Sequence, residues 1–225
     1  MAPSRFVDLS HPIESGQPGY PGLPTPRIEA YLTRAASRAM YQGKAEFEIS
    51  RVEMVGNTGT YLDSPYHRFE GRPDIAELPL ESVAGLPGHR LNGHLGPDGR
   101  GVALDLPSGL AGAAVLIRTN WDARWGTPAY WEPGPFVGAT AVGALIEAKV
   151  ALVGVDFWNV DDTGDPARPA HTRFLDAGIL IVEHLRGLDL LPATGFRFSA
   201  VPAPIRGAAS LPVRAFAELD VERPR

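Results

Sequence analysis

Short apolar runs, separated by turn residues, dominate the hydrophobic pattern of the chain. Residues 113–118 (AAVLIR) and 150–155 (VALVGV) are continuous apolar segments, typical of strands that are buried on both faces of a sheet. Residues 139–149 (ATAVGALIEAK) between them have the pattern of a helix. The stretch therefore predicts a strand–helix–strand unit with a right-handed crossover, ended by Asp156.

The remaining pattern predicts several more strands and few long helices. Residues 46–55 alternate between apolar and polar positions and lead into a turn-rich segment at 57–67. Residues 171–177 predict a short helix ended by Gly178, followed by a buried strand at 179–182 that reaches Glu183. The other expected elements are a first strand at 6–9, a turn or short helix at 187–191, and closing strands at 197–201 and 213–218.

The composition is that of a globular protein that can bury a core. The 225 residues are 44% hydrophobic and 21% charged, and no linker divides them, so we expect a single α/β domain spanning residues 1–225. A net charge of −5 argues against nucleic acid or an anionic membrane surface as partner and favours a small molecule. Because no signal pattern and no apolar run of about 18 residues is present, a cytoplasmic enzyme is expected.

Residues 57–67 (NTGTYLDSPYH) are the most informative segment for chemistry. They contain Asp63 and His67, and a second acid and imidazole, Glu183 and His171, occur far downstream. The chain has no cysteine, which removes a thiolate nucleophile and thiolate metal ligands from consideration. Any metal must be bound through nitrogen and oxygen.

The chain resembles the cyclase family of metal hydrolases, whose best known members are bacterial kynurenine formamidase and isatin hydrolase. The similarity covers nearly the whole chain and rests on DLSHP at 8–12, YPG at 20–22, residues 57–67, VD at 155–156, His171, Gly178, Glu183 and LD at 188–189. In the family, the central segment reads His-x-Gly-Thr-His-x-Asp-x-Pro-x-His, of which this chain keeps Gly59, Thr60, Asp63, Pro65 and His67. Asn57 and Tyr61 replace the first two histidines.

The resemblance implies a mixed β-sheet or barrel-like β core flanked by helices, of the swivelling β/β/α type, and a homodimer or larger homo-oligomer. In the formamidase-like pattern two zinc ions share a carboxylate pair that matches Asp63 and Glu183, and a further histidine ligand matches His171. His67 matches the residue that donates and accepts the proton, and Tyr20 stands where the family has a substrate-facing tryptophan. The manganese site of isatin hydrolases uses the two missing histidines.

A reduced metal site is therefore expected, with one zinc or manganese ion or none. Asp63, His171 and Glu183 suffice for one divalent ion with open positions, which would lower the pKa of bound water toward about 7. Asn57 and Tyr61 are weaker ligands than imidazole. Tyr61 can instead donate a hydrogen bond to a developing oxyanion, and Asn57 is expected to contact the substrate.

Each candidate also has a purely structural interpretation. Asp63 can cap a turn, His67 can be a surface histidine, and His11 is assigned a packing or turn role. His171 and Glu183 are twelve positions apart (183 − 171), so only the fold can bring them together. A carboxylate at the end of a buried strand nevertheless needs a partner.

Aromatic residues provide candidates for the wall of a substrate pocket. One group either faces an apolar substrate or packs a long loop: Trp121, Trp125, Tyr130 and Trp131. Phe157 and Trp158 follow a strand end and are predicted to contact the substrate. The acidic stretch 161–165 lacks the spacing of a calcium loop and is predicted to be a solvated loop.

Three functions are compatible with these residues. The first is an arylformamidase-like hydrolase that opens an amide, lactam or ester of a small cyclic or aromatic substrate, with His67 as proton shuttle. The second is a metal-independent cyclase or dehydratase of small-molecule biosynthesis, with His67 as base and Tyr61 or Asn57 as oxyanion partner. The third is a non-catalytic relative that binds a small molecule. The joint presence of four chemically apt residues favours an enzyme.

Overall fold

The computed structural model describes residues 5–220. Its strands, in chain order, are β1 (Phe6–Asp8), β2 (Arg27–Leu32), β3 (Ile49–Glu53), β4 (Tyr61–Asp63), β5 (Leu86–Asn92), β6 (His94–Leu95), β7 (Gly101–Ala103), β8 (Ala114–Arg118), β9 (Phe136–Val137), β10 (Leu152–Val155), β11 (Leu180–Glu183), β12 (Phe196–Ser199), β13 (Ser210–Pro212) and β14 (Phe216–Leu219). The α-helices are α1 (Arg34–Met40), α2 (Ala139–Glu147) and α3 (Pro169–Asp176). Short 3-10 helices cover Pro65–His67, Ile75–Glu77, Leu80–Ser82, Trp121–Arg124, Pro128–Trp131 and Leu188–Leu190.

Nine strands form one mixed sheet in the order β1-β14-β12-β5-β8-β10-β11-β4-β13. The central strands β5, β8, β10 and β11 are parallel, and the strands on both sides of them are antiparallel to their neighbours. Leu62 of β4 and Phe198 of β12 belong to the same buried cluster although four strands separate them in the sheet. The sheet therefore curls into a half-barrel, as the predicted α/β class with a barrel-like core requires.

Alternation along the central strands separates two apolar cores. In β8, Ala114 and Leu116 face the inside of the curl, whereas Val115 and Ile117 face the opposite side. Helices α2 and α3 cover that opposite side, with α3 burying Phe174 against it. A strand buried on both faces reads as a continuous apolar run, which is why 113–118 and 150–155 were recognisable in the sequence.

The strand–helix–strand unit is confirmed as β8, α2 and β10, and the predictions for α3, β11 and β1 are confirmed to within a few residues. Two expectations were wrong. Residues 57–67 are not only a turn-rich segment, because they contain strand β4, which pairs with β11 and β13. The strand predicted at 213–218 begins only at Phe216, in β14, because the N–H groups of Val213 and Ala215 bond to Thr60 O and Ser10 Oγ outside the regular ladder.

Strand β5 had no predicted counterpart, although it lies in the middle of the sheet. Its sequence, LPGHRLN, contains Pro87 and Gly88, which normally argue against a central strand. Gly88 is required there because the ring of Phe196 occupies the space that a Cβ would take. Packing against a neighbouring strand thus replaces the intrinsic strand preference that the local sequence lacks.

A two-stranded ribbon, β2 and β3, stands apart from the main sheet, and a three-stranded sheet is formed by β6, β7 and β9. None of the helices between residues 5 and 220 has the length and apolar character needed to cross a bilayer.

Candidate metal centre and substrate cavity

Two cross-strand pairs at β4 form the floor of the candidate site. Tyr61 and Asp63 are two residues apart in a strand and point to the same face, while Leu62 enters the core. The register places Glu183 of β11 opposite Tyr61, and Ser210 of β13 opposite Asp63. Both pairs are hydrogen-bonded, because the Tyr61 phenol donates to Glu183 Oε2 and the Ser210 hydroxyl donates to Asp63 Oδ1. The sheet register therefore assembles four polar side chains from three strands.

Two glycines let the chain enter β4 along this path. A Cβ on Gly56 would overlap the carbonyl group of Ser210, so no other residue fits there without a shift of the backbone. Gly59 has a φ of 63° and packs against Ile13, a combination of left-handed backbone and close contact that favours glycine.

His67 lies at the end of the 3-10 helix that follows β4, with its side chain 30% exposed. Its Nδ1 is 3.1 Å from Ser210 Oγ and 3.7 Å from Asp63 Oδ1. Since the Ser210 hydrogen is donated to Asp63, the Ser210 oxygen accepts from His67 Nδ1–H. In the neutral ring this leaves the lone pair on Nε2, the nitrogen available for a proton or a ligand.

Helix α3 delivers His171 to the same place, and Asp161 orients it. One oxygen of Asp161 accepts from Ala170 N–H at 2.6 Å, and the other accepts from His171 N–H at 3.1 Å and lies 2.7 Å from His171 Nδ1. The opposite nitrogen, His171 Nε2, is 3.6 Å from both Asp63 Oδ2 and Glu183 Oε1. Burial opposes protonation of His171, but the Asp161 hydrogen bond and the carboxylates of Asp63 and Glu183 raise its pKa to about 10.

The two carboxylates on the floor are fully buried, and their environments differ. Burial raises the pKa of Glu183 to about 7, and the charge of Asp63 acts in the same direction. Despite its own burial, Asp63 has a lowered pKa because the imidazoles of His171 and His67 and the Ser210 hydroxyl stabilise its anion. Burial and then the charge of Glu183 raise the pKa of Tyr61 well above 10, so the phenol stays protonated.

The residues present fit one divalent metal ion. Asp63, His67 and His171 each offer a ligand atom, and these atoms lie within 4.8 Å of one another. Asp63 Oδ2 is buried and accepts no hydrogen bond from the described residues, which is costly for a carboxylate oxygen unless a cation or water contacts it. A carboxylate that holds the distal nitrogen of a histidine, as Asp161 holds His171, is the usual surrounding of a metal-bound imidazole.

Glu183 is less available as a metal ligand than the sequence suggested, because both of its carboxylate oxygens already accept hydrogen bonds. Its Oε2 accepts from Tyr61, and its Oε1 accepts from Val160 N–H at 2.7 Å. The geometry therefore brings His67 into the possible ligand set beside Asp63 and His171, and it gives the predicted ligand Glu183 a second function as the acceptor for Tyr61.

A cavity of about 370 Å³ opens above this floor. Its volume lies in the range of small-molecule sites. Six of its lining residues carry polar groups relevant to chemistry: Tyr20, Asn57, Tyr61, His67, Arg168 and His171. Two residues predicted to contact a substrate, Tyr20 and Asn57, therefore line this cavity.

The structure does not bring every predicted aromatic residue to the cavity. Phe157 is fully buried in the core under α2 and α3, and Trp121 donates to the carbonyl of Tyr130 and packs on Gly134, so neither lines it. Trp158 lies behind the wall, with its ring 5.3 Å from that of Tyr20. The sequence allowed two interpretations of the aromatic stretch. These contacts of Trp121 support the interpretation that the stretch packs a long loop.

Sequence reasoning missed Ser210 and misjudged Asp161. Ser210 lies 147 residues from Asp63 in the chain and carries no motif, so only the pairing of β13 with β4 reveals it. The prediction of a solvated loop at 161–165 was wrong for Asp161, which is 3% exposed and binds His171. Its neighbour Asp162 is ion-paired with Arg100 at 2.6 Å. A signal existed in the position of Asp161 ten residues before His171, but the folded loop had to be known to use it.

Comparison with known proteins identifies the family of the chain. The family model described as "Putative cyclase" matches residues 7–162. The kynurenine formamidase of Bacillus cytotoxicus is 27% identical over 216 residues, which cover 96% of this chain and 98% of that protein.

Two solved structures share the fold over almost the full length. Isatin hydrolase A from Labrenzia aggregata, bound to benzyl benzoate, superposes with a TM-score of 0.78 at 24% identity, covering 96% of this chain and 94% of that chain. Isatin hydrolase A from Ralstonia solanacearum gives a TM-score of 0.71 at 26% identity, covering 94% of this chain and 90% of that chain.

Proposed function

Because the chain belongs to the cyclase family of metal-dependent hydrolases, we propose that it hydrolyses the amide bond of a small aromatic or cyclic substrate. The observation that carries the proposal is a buried carboxylate oxygen, Asp63 Oδ2, that accepts no hydrogen bond within the described residues and lies with two histidines at the floor of a cavity, 3.6 Å from His171 Nε2. The relatives named above act on a formamide and on isatin, as their names state.

We assign the metal site to Asp63 and His171, with His67 and Glu183 beside them. Zinc and manganese both accept such nitrogen and oxygen ligands. When bound, a divalent ion would polarise the substrate carbonyl and lower the pKa of water. Tyr61 in place of a histidine gives Glu183 a hydrogen-bond donor, so this carboxylate is satisfied without the second ion of the family pattern.

The protein's own groups can move the protons that hydrolysis requires. His67 Nε2 removes a proton as water adds to the carbonyl carbon, and His67 then returns a proton to the nitrogen as the C–N bond breaks. The products are a carboxylic acid and an amine, so atoms and charge balance. Ser210 keeps His67 in the required tautomer, and the Asn57 amide faces the cavity where it can hold a substrate oxygen.

The metal-independent alternative has weaker support from the geometry. Of its two candidate oxyanion partners, Tyr61 donates its hydrogen to Glu183, which leaves only the Asn57 amide for that role. A purely binding protein would have no need to bury Asp63, His171 and Glu183 together, since burying ionisable groups costs stability. Both alternatives are therefore less consistent with the site than a hydrolase.

The test is metal content together with amide hydrolysis. We expect protein purified without chelator to contain about one divalent ion per chain and to hydrolyse an aryl formamide such as formanilide. Chelation should abolish turnover, and zinc or manganese should restore it. Asp63→Asn should lower metal affinity and kcat/KM by more than about 100-fold, because it removes the anionic ligand.

Asp105→Asn, at an exposed carboxylate, is the control and should retain both metal and turnover. A protein that turns over aryl amides at full rate without metal would refute the metal assignment. A metal-loaded protein that hydrolyses neither aryl amides nor aryl lactams would refute the activity.

We also propose that the protein forms a homodimer through the arm, defined here as residues 27–53, which contain β2, α1 and β3. Every residue of β3 is exposed, and the arm carries apolar side chains open to solvent: Ile28, Tyr31, Met40, Tyr41, Ile49 and Val52. An apolar surface of this kind on a ribbon that stands apart from the core is typical of a contact between chains.

A further inference from the structure

Arg168 is the cavity residue whose role the proposed hydrolysis does not explain. It lines the cavity together with His67, and it immediately precedes α3, which supplies His171. None of the described residues that line the cavity is Asp or Glu. The wall is therefore cationic, although the chain as a whole has a net charge of −5.

The guanidinium of Arg168 has few bonds to the protein. Its two hydrogen bonds, to Asn159 Oδ1 and Tyr20 Oη, are both 3.5 Å long, at the outer limit for such contacts, and neither acceptor is charged. Arg68 on the same wall differs, because it donates to Thr172 Oγ1 at 2.8 Å and to a main-chain carbonyl at 3.2 Å. Arg168 thus uses two of its five N–H donors in these long contacts, and its side chain lines the cavity.

The backbone holds Arg168 in a conformation that side-chain-bearing residues rarely adopt. Its φ is 48° and its ψ is 58°, in the left-handed region that costs about 1 kcal/mol or more for a residue other than glycine. Its carbonyl accepts from the Thr172 N–H at 3.1 Å and from the Thr172 hydroxyl at 2.9 Å, so the first turn of α3 maintains this geometry. Strain of this kind concentrates at binding sites.

We propose that Arg168 binds an anionic group of the substrate, and that the substrate of this site is an aryl amide that carries a carboxylate. A guanidinium fork matches a carboxylate with two parallel hydrogen bonds and fixes its orientation. The Tyr20 hydroxyl and the Asn159 side chain lie beside the fork and complete the contact. The anion is bound at the wall while the amide lies over His67. This inference rests on the proposed amide hydrolysis and specifies its substrate class.

Turnover and binding test the inference separately. We expect kcat/KM for at least one isomer of formamidobenzoate (ortho, meta or para) to exceed that for neutral formanilide by about 10- to 100-fold, the effect of a hydrogen bond to a charged group. The preferred isomer then reports the distance between Arg168 and the reacting carbonyl. Arg168→Met should remove the preference, and Arg168→Lys should keep part of it.

Arg72→Gln is the matched control, since it removes an arginine that is paired with Asp176 outside the cavity. We expect this variant to keep the preference. Melting temperatures of all variants identify any variant that fails to fold. If Arg168→Met fails to fold, Arg168→Lys still tests the inference.

Calorimetry with benzoate and benzamide measures the anion site without catalysis. Benzoate should bind the metal-loaded protein at least about tenfold more tightly than benzamide, and Arg168→Met should equalise them. If aryl amides are not hydrolysed but benzoate binding depends on Arg168, the activity fails and the anion site stands. Equal turnover of charged and neutral amides, together with benzoate binding that is unchanged in Arg168→Met, would overturn the inference.

Discussion

At the scale of single residues, each of three side chains in the site is oriented by a hydrogen bond at one polar atom and directs its other polar atom into the site. Asp63 uses one oxygen for the Ser210 hydroxyl and keeps the other free toward His171. His171 is held by Asp161 through Nδ1 and presents Nε2 to the site. His67 is held by Ser210 through Nδ1 and presents Nε2. In each case one contact fixes the orientation and the other end is left for chemistry.

Ser210 is the least conspicuous of these residues in the sequence, and its removal should be measurable. We expect Ser210→Ala to lower the affinity for zinc or manganese by about 10- to 100-fold, because it leaves Asp63 and His67 without their orienting contact. Titration calorimetry of the metal-free protein measures this. Ser210→Thr keeps the hydroxyl and should restore most of the affinity.

Ser199→Ala is the control for this change, because the Ser199 hydroxyl accepts from Gly85 N–H, just before β5, and not from a residue of the site. An unchanged metal affinity in Ser210→Ala would contradict the role assigned to the hydroxyl.

At the scale of elements, the burial of the central strands agrees with their hydrophobic pattern, whereas the burial of the arm does not. The continuous apolar runs of β8 and β10 are buried on both faces, as their pattern predicted. Strand β3 was predicted from an alternating pattern, yet all its residues are exposed. Alternation normally indicates one buried face, so an exposed alternating strand needs a surface to cover it.

The proposed dimer contact can be tested on the cross-strand pair Ile28 and Val52, which lie opposite each other in the ribbon. We expect the native protein to sediment as a dimer of 24.1 kDa chains and the double variant Ile28→Lys/Val52→Glu to sediment as a monomer. The opposite charges keep the ribbon paired while removing its apolar surface. Analytical ultracentrifugation measures both masses.

Leu80→Glu changes an exposed leucine outside the arm and should leave the mass unchanged. A native protein that sediments at the mass of one chain, or a double variant that remains dimeric, would exclude the arm as the interface.

At the scale of the whole molecule, a buried histidine makes the stability depend on pH. The assignment of His11 to packing is confirmed, since its ring stacks on Trp125 at 3.9 Å and is 8% exposed. Burial, and then the charge of Arg186, lower its pKa from 6.5 to about 3. The folded state thus disfavours the protonated ring, whereas the unfolded chain binds the proton below about pH 6.5.

The sign of the effect follows from this difference. The contribution of His11 to stability is complete above pH 6.5 and is lost as the pH falls toward 3, by at most about 1.4 kcal/mol per pH unit. His11→Phe keeps the stacked ring and removes the titration. The free energy of unfolding, measured with urea between pH 7 and 4, should therefore fall less in the variant than in the native protein.

His94→Gln is the control, because His94 is exposed and its replacement should leave the pH dependence as in the native protein. Parallel pH profiles for His11→Phe and the native protein would show that the stacked ring titrates normally.

The bounds of the predicted single domain, residues 1 and 225, lie outside the described residues, and the single domain stays a prediction.

The sequence by itself determined the α/β class, the buried central strands and helices α2 and α3, and it predicted Asp63, His67, His171 and Glu183 as site residues, which the fold brings together. These depend on local pattern or on motif, both of which the chain displays directly. Only the tertiary structure decided which residues complete the site. Ser210, Asp161 and Arg168 act through strand pairing and loop packing, and the Tyr61 hydroxyl is committed to Glu183 by the register of β4 and β11. The reason is physical: hydrogen bonds between residues far apart in sequence depend on register and burial, which no local pattern specifies.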